Sequence, residues 1–266
     1  RRFAAQGYPS LALAYFKHDD LRSSGSNIPL EYFAEALEWF REAQSLDRVV
    51  LMGRSRGGEA ALLVASEFSG LVDAVIAQVP SHLVNNGEGE QWGDWLSDPD
   101  SMWTRSGAPV AHVHYPPSQT RSTIERRERS ARQLPGYAVA PEYGQLWQDA
   151  ERRFEIAVER IQVPVLIQAG ALDGIWPSAW AAQRLAKRCR SCAHWYTEVF
   201  DEAGHAWGLP GEVTTTRPFA HVRQRFVGFL SLGGTPRGTA QAAREGWRSI
   251  DLFIRNPESW GDHYRH

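Results

Sequence analysis

The pentapeptide G-R-S-R-G at residues 53–57 constrains this chain more than any other stretch. It is a G-x-S-x-G motif, which alone recurs by chance, but its flanks make it informative. The apolar run V-V-L-M at 49–52 enters it, and an Ala- and Leu-rich stretch over 59–68 leaves it. The expected context is a buried strand, a tight turn and a helix. Such a turn strains the serine backbone, and side chains two residues to either side would strike the neighbouring strand and helix. Gly53 and Gly57 are wanted for that reason. Ser55 Oγ is then expected at the carboxyl edge of a sheet, with the Arg56 N–H aimed at a developing oxyanion. A phosphate-binding loop is excluded, because neither G-x-x-x-x-G-K-[ST] nor G-x-G-x-x-G is present.

A serine hydroxyl is a poor nucleophile until a histidine takes its proton, and that histidine needs a carboxylate to fix its tautomer. In an elbow-bearing fold the chain order is Ser, then Asp or Glu, then His, each after a different strand. Asp173 follows the apolar run 163–169, in G-A-L-D-G-I-W at 170–176. His205 follows the run 195–200, in D-E-A-G-H-A-W at 201–207. Ser55, Asp173 and His205 are therefore expected to form a triad.

The remaining pattern agrees. Runs at 10–15, 49–52, 74–79, 163–169 and 195–200 read as strands. Residues 30–44, 59–68, 180–187 and 239–253 read as helices, the first with apolar Leu30, Phe33, Ala34, Leu37 and Phe40 on one face. Continuous apolar strands alternating with amphipathic helices imply an α/β fold, a mostly parallel sheet with helices on both faces. With the elbow, this is an α/β-hydrolase fold. The length of 266 residues suits one large domain. Between residues 82 and about 160 the pattern breaks down, and such a long irregular insertion is expected to be a cap or lid.

Charge and cysteines narrow the class. Lys plus Arg is 29 and Asp plus Glu is 31, a formal net charge of −2. A nucleic-acid partner or a polybasic membrane-surface role needs a positive excess. No apolar run approaches the ~20 residues of a membrane helix, and a cytoplasmic location is expected. Cys189 and Cys192 form a C-x-x-C that supplies half of a structural zinc site. A redox C-x-x-C should open a helix, whereas this one follows a helix, so a surface pair without chemistry is expected. His112 and His114 alternate, but no carboxylate or cysteine cluster accompanies them. No metal and no cofactor are expected. His18 either borders the site or is solvated.

Four stretches resemble the C-terminal catalytic domain shared by acyl-CoA thioesterases and bile acid-CoA:amino acid N-acyltransferase, a dienelactone-hydrolase-like α/β hydrolase. They are G-Y-P-S-L-A-L-A-Y at 7–15 with Asp20 and Leu21 after it, P-L-E-Y-F-A-E-A at 29–36, L-M-G-R-S-R-G-G-E at 51–59, and G-G-T-P-R at 233–237 before an amphipathic stretch. Asp173 and Trp176 also match a D-x-x-W after the acid strand. The similarity covers most of the chain except the insertion. It implies that Ser55 takes an acyl group from a coenzyme A or carrier-bound thioester, that His205 is the base and that Asp173 orients it. The N-acyltransferase branch commonly carries cysteine as nucleophile, so Ser55 favours hydrolysis. Transfer to an amine or alcohol stays open, as does a carboxylesterase or lactonase of the same fold. Arg54 and Arg56 depart from the smaller or lysine residues common in relatives.

Trp92, Trp95 and Trp103 of the insertion, with Trp176 and Trp207 beside the acid and base, are expected either to wall an acyl pocket or to be packing. Arg121, Arg126, Arg127, Arg129 and Arg132, interleaved with Glu125 and Glu128, read as a solvated helix. The alternative is a landing patch for the phosphates of coenzyme A or for a carrier protein. The chain opens R-R-F-A-A-Q-G without Met. The resemblance implies that the first sheet strands and the loop with the second oxyanion donor lie upstream, so the domain is expected to be N-terminally incomplete.

Overall fold

The computed structural model describes residues 2–88, 100–114, 125–126, 129–150, 152–190, 192–208, 211–221 and 226–263. Its centre is a parallel sheet of β1 (Val50–Arg54), β2 (Ala74–Gln78), β3 (Val165–Gly170) and β4 (Trp195–Phe200), in that spatial order. Beyond a single turn at Arg2–Ala5, the longer helices among the described residues are α1 (Leu30–Ala43), α2 (Arg56–Glu67), α3 (Ala140–Gln148), α4 (Ser178–Arg188) and α5 (Pro236–Arg255). An antiparallel hairpin, β5 (Thr216–His221) with β6 (Phe226–Ser231), precedes α5. This is the parallel α/β arrangement read from the sequence.

Strand side chains alternate between faces, and here both faces are covered. Val75, Ala77, Val165 and Ile167 pack in one cluster with Leu37 of α1, Leu62 of α2 and Leu185 of α4. Ala74, Ile76 and Leu166 point the other way, against Trp247, Ile250 and Phe253 of α5. Burial on both sides is why these strands read as unbroken apolar runs. α5 begins at Pro236, ahead of the expected residue 239: Thr235 caps it, its hydroxyl accepting from the Gly238 N–H at 2.9 Å, and proline suits the first helical position.

At the carboxyl ends of the strands one row is polar. Arg54, Gln78, Gln168 and Glu198 are register partners across the sheet. Arg54 Nε donates to Gln78 Oε1 (3.4 Å), Gln78 Nε2 to Gln168 Oε1 (2.9 Å) and Gln168 Nε2 to Glu198 Oε2 (2.7 Å). Every amide in the row therefore points the same way. Burial pushes the Glu198 carboxyl up, against the opposing effect of the Gln168 hydrogen bond. A carboxyl held above its ordinary value stabilises the fold while protonated. That contribution is complete below the unfolded value, about 4.3, and is lost as pH rises through the elevated one. Glu198→Gln keeps an acceptor for Gln168 without the charge. It is expected to melt above the parent at about pH 8 and level with it near pH 4. A difference in melting temperature that does not vary with pH would refute this.

Three expectations need correction. Residues 10–15 do not form a strand: they run without ladder partners, and Leu11 is 43 % exposed. A groove of about 800 Å³, lined among others by Leu11, Leu13, Phe33, Leu37, Leu51 and Met52, separates them from β1. Among the described residues no strand bridges that gap, so the backbone of this apolar run has no sheet to join.

The cysteines are not a surface pair. Cys189 and Cys192 form a disulfide, and Cys189 is 3 % exposed. Cys189 caps α4 and continues the face of Ala182 and Leu185 into the core. Gly57 does not need to be glycine for space, since a Cβ there would meet nothing nearer than Tyr15 Oη at 3.9 Å.

The described part of 82–160 is tied down by bridges Leu83–Glu155, Asn85–Val113 and Asn86–Ser101. A small sheet pairs Ile28–Pro29 with Trp103–Arg105, and that with Ala108–Pro109. Arg121, Arg127 and Glu128 lie outside the described residues, and Glu125, Arg126, Arg129 and Arg132 are exposed. Among the described residues no helix is long and apolar enough to cross a membrane.

Candidate active site

The elbow is built as its sequence demands at Gly53. A Cβ there would lie 1.8 Å from the Gly57 carbonyl oxygen, so glycine is obligatory where β1 meets the start of α2. Ser55 sits at φ 58°, ψ −122°, the strained conformation expected of an elbow nucleophile. The strain is held by backbone bonds on both sides: Ser55 N–H donates to Gln78 O at 2.9 Å, and Ser55 O accepts from Glu59 N–H at 3.0 Å. Arg56 opens α2, so its N–H stands among the groups the helix leaves without an internal partner.

The three residues named from sequence come together. His205 Nε2 is 2.8 Å from Ser55 Oγ, and His205 Nδ1 is 2.9 Å from Asp173 Oδ2 and 3.0 Å from Oδ1. Asp173 and His205 are 8 % and 7 % exposed. Asp173 Oδ1 also accepts from the N–H groups of Ile175 (2.8 Å) and Trp176 (3.2 Å), which fixes the carboxylate before it meets the imidazole. The Trp176 ring stands edge-on to His205, 5.1 Å between centroids, and its indole N–H is anchored on Val79 O at 3.0 Å. The arrangement holds a hydroxyl, an imidazole and a carboxyl group in line, the geometry that lets a serine lose its proton as it attacks.

The described tryptophans of the expected set, Trp103, Trp176 and Trp207, are not brought together. Trp176 is buried among Tyr143, Trp147 and Leu83. Trp207 is buried on the other side, with Phe200, Ala242 and Ala243, between β4 and α5. Trp92 and Trp95 lie outside the described residues. Trp103 is fully buried and hydrogen-bonds Glu59. His18 is exposed beside Asp19. His112 Nδ1 faces Val110 O at 3.2 Å, and among the described residues no group of His, Cys, Asp or Glu is set to hold a metal.

Sequence reasoning missed a polar network under the elbow. Glu59 is fully buried and takes four donors: Asn85 N–H (2.9 Å), Asn85 Nδ2 (2.7 Å), Trp103 Nε1 (2.8 Å) and Arg56 Nη1 (3.4 Å). Arg56 also lies over the Trp176 ring and 3.9 Å from Glu88. Glu59 was visible as the last letter of G-G-E, but its partners other than Arg56 arrive from the insertion. Burial pushes the nearby Tyr15 phenol up to about 12 and raises that of Tyr143. His82 was missed as well. It is wedged between Trp147 and Trp180, and burial, helped by Arg184 and Arg188, pulls its imidazole down to about 3.

The chain has relatives among known proteins. Mouse mitochondrial acyl-coenzyme A thioesterase 2 is 25 % identical over 256 residues, covering 94 % of this chain and 50 % of that protein. Human acyl-coenzyme A thioesterase 1 is 26 % identical over 257 residues, covering 94 % and 54 %. The chain thus spans about half the length of the curated relatives it matches. Among solved structures, a putative dienelactone hydrolase from Klebsiella pneumoniae superposes with a TM-score of 0.43 at 15 % identity, over 85 % of this chain and 60 % of that one. An acylaminoacyl peptidase from Pyrococcus horikoshii gives 0.44 at 12 %, over 85 % and 27 %. The family model described as BAAT / acyl-CoA thioester hydrolase C terminal matches residues 28–257, and the chain belongs to that family.

Proposed function

We propose that this protein is a serine hydrolase that cleaves acyl-CoA thioesters through an acyl-enzyme. The observation that carries the reading is the continuous relay from Ser55 Oγ through His205 to Asp173. His205 Nε2 takes the hydroxyl proton as Oγ attacks the thioester carbonyl. The Arg56 N–H supports the oxyanion. The carbon–sulfur bond breaks, and His205 returns the proton to the departing thiolate. Water, deprotonated by His205, then attacks the acyl-serine, the ester bond to Oγ breaks, and His205 returns the proton to Oγ, leaving a carboxylic acid and free Ser55. Asp173 holds the imidazole tautomer and balances its positive form. Tyr143 and Trp147, from the described part of 82–160, act as the cap on this side, packing on Trp176, which supports His205.

A second oxyanion donor belongs to the same proposal. The groove beside β1 has an apolar lining and an unpaired strand edge among the described residues. A further extended segment seated there, parallel to β1, would complete the sheet and bring its following loop to the oxyanion. A form of the protein extended upstream of Arg1 is then expected to turn over faster than residues 1–266 alone. Equal kcat for the two sinks this element of the proposal.

The decisive experiment is product analysis with acyl-CoAs of graded length, with and without glycine or taurine, beside p-nitrophenyl esters and acylated carrier protein. Free acid and free CoA are the expected products. Acyl-amine products would show transfer instead. Cleavage of esters but of no thioester would sink the proposal.

A further inference from the structure

The closing G-G-T-P-R stretch lies outside the relay, yet it touches both loops that carry the relay's acid and base. The Leu232 carbonyl accepts two N–H groups, from Gly174 at 3.0 Å and from His205 at 2.7 Å. One oxygen is therefore shared by the residue after Asp173 and by His205 itself. Gly234 N–H donates to Leu172 O at 3.0 Å, and Thr235 N–H to Glu202 O at 2.9 Å. Asp173 and Gly233 form a bridge, and Leu172 N–H reaches Ala203 O at 3.0 Å. The turn following β6 is thus stitched to both loops by main-chain hydrogen bonds, and Thr235 Oγ1 adds one to Glu202 Oε2 at 3.1 Å.

The contact is too close for side chains. Gly233 and Gly234 both have φ +75°. A Cβ on Gly233 would lie 1.9 Å from Leu172 O, and one on Gly234 2.3 Å from Gly204 N. From the other side, a Cβ on Gly204 would lie 2.3 Å from Gly233 O, and one on Gly174 2.6 Å from Ser231 O. Glycines from three separate stretches meet where three backbones touch.

We propose that Leu232, Gly233 and Gly234 form a positioning wedge that sets the separation of Asp173 and His205. This rests on the triad reading above. A relay needs its acid and base held to within about 0.5 Å of their productive geometry. Two loops leaving the ends of β3 and β4 have no intrinsic reason to hold that distance. A single carbonyl hydrogen-bonded to both makes it a property of rigid main chain. The wedge is anchored behind by Thr235 at the start of α5 and in front by β6.

The test uses the whole chain, p-nitrophenyl butyrate and a fluorophosphonate probe. Gly174→Ala pushes the acid loop off the wedge without a positive φ to strain, and Gly233→Ala does so from the wedge. Gly70→Ala is the control, since Gly70 has φ +93° and open space around it. Because a misplacement near 1 Å costs on the order of 100-fold, kcat and labelling rate are expected to fall by about that factor in both wedge variants, with KM within about twofold. Gly70→Ala should match the parent. If Gly233→Ala does not fold, Gly174→Ala decides. A folded Gly174→Ala with parental kcat overturns the wedge, as does an equal loss in Gly70→Ala. Ser55→Ala separates the two ideas. If it is labelled as fast as the parent, the triad reading fails and the wedge with it. If it is unlabelled while Gly174→Ala is normal, the wedge alone fails.

Discussion

Ser55→Ala is expected to lower turnover of acyl-CoA by about 10⁴- to 10⁶-fold while leaving its binding within about twofold. The size follows from what is removed. Without Oγ no acyl-enzyme forms, and His205 Nε2, now 2.8 Å from a position holding no oxygen, has no hydroxyl to deprotonate. What survives is the modest assistance of the oxyanion donor and of binding itself. Little else should change. Alanine at φ 58° carries much the same backbone strain as serine, and the bonds to Gln78 O and Glu59 N–H are main chain. Stability should stay within about 0.5 kcal/mol of the parent. The inert variant also permits titration calorimetry with intact acyl-CoA. Turnover above about 1 % of parent in the purified variant would show that another nucleophile does the work.

The parts of this molecule that were readable from sequence are those set by local pattern. β2 and β3 read as buried strands because each side chain, on either face, is apolar until the row of Gln78 and Gln168. Ser55, Asp173 and His205 were readable because each follows a strand, and a parallel sheet puts its strand ends on one edge. Residues 10–15 carried the same apolar signal, but a strand is made by its neighbour, and β1 lies across a groove. Trp207 sits two residues from His205 in sequence yet packs against α5, because the chain bends at His205 instead of running as a strand, whose period would put the two on one face. The Glu59 network and the wedge were opaque for a different reason. Their partners, Asn85 and Trp103 for one and residues 172–174 and 202–205 for the other, come from stretches whose meeting no periodicity encodes. Glycines 233 and 234 stand in the sequence only as part of the G-G-T-P-R stretch, and nothing local marks the backbones they meet.

The largest effect on stability is expected at Glu59. Glu59→Ala should cost about 3–5 kcal/mol in urea or guanidinium unfolding, the range for breaking a buried ion pair from one side. Glu59 is fully buried, and its side-chain pairing with Arg56 is itself only 8 % exposed on the arginine side. Truncation strips the Trp103 indole N–H of its acceptor and removes two acceptors from Asn85. Each buried donor so deprived costs about 1–3 kcal/mol. The Arg56 guanidinium keeps Glu88, at 3.9 Å, but loses its nearer carboxylate. Against a total stability of about 5–15 kcal/mol, that is a large share. Glu59→Gln separates charge from shape. It keeps one carbonyl oxygen and the volume, but its amide turns donors toward donors, so an intermediate loss of about 1–3 kcal/mol is expected. Three of its four donors, from Asn85 and Trp103, belong to the insertion, whereas Glu59 belongs to the helix that begins at the nucleophile. A rank order of Ala worst, Gln intermediate and parent best, at an unchanged denaturant slope, identifies the carboxylate as the tie between them. Equal stability of all three would mean that the insertion is held by apolar packing alone.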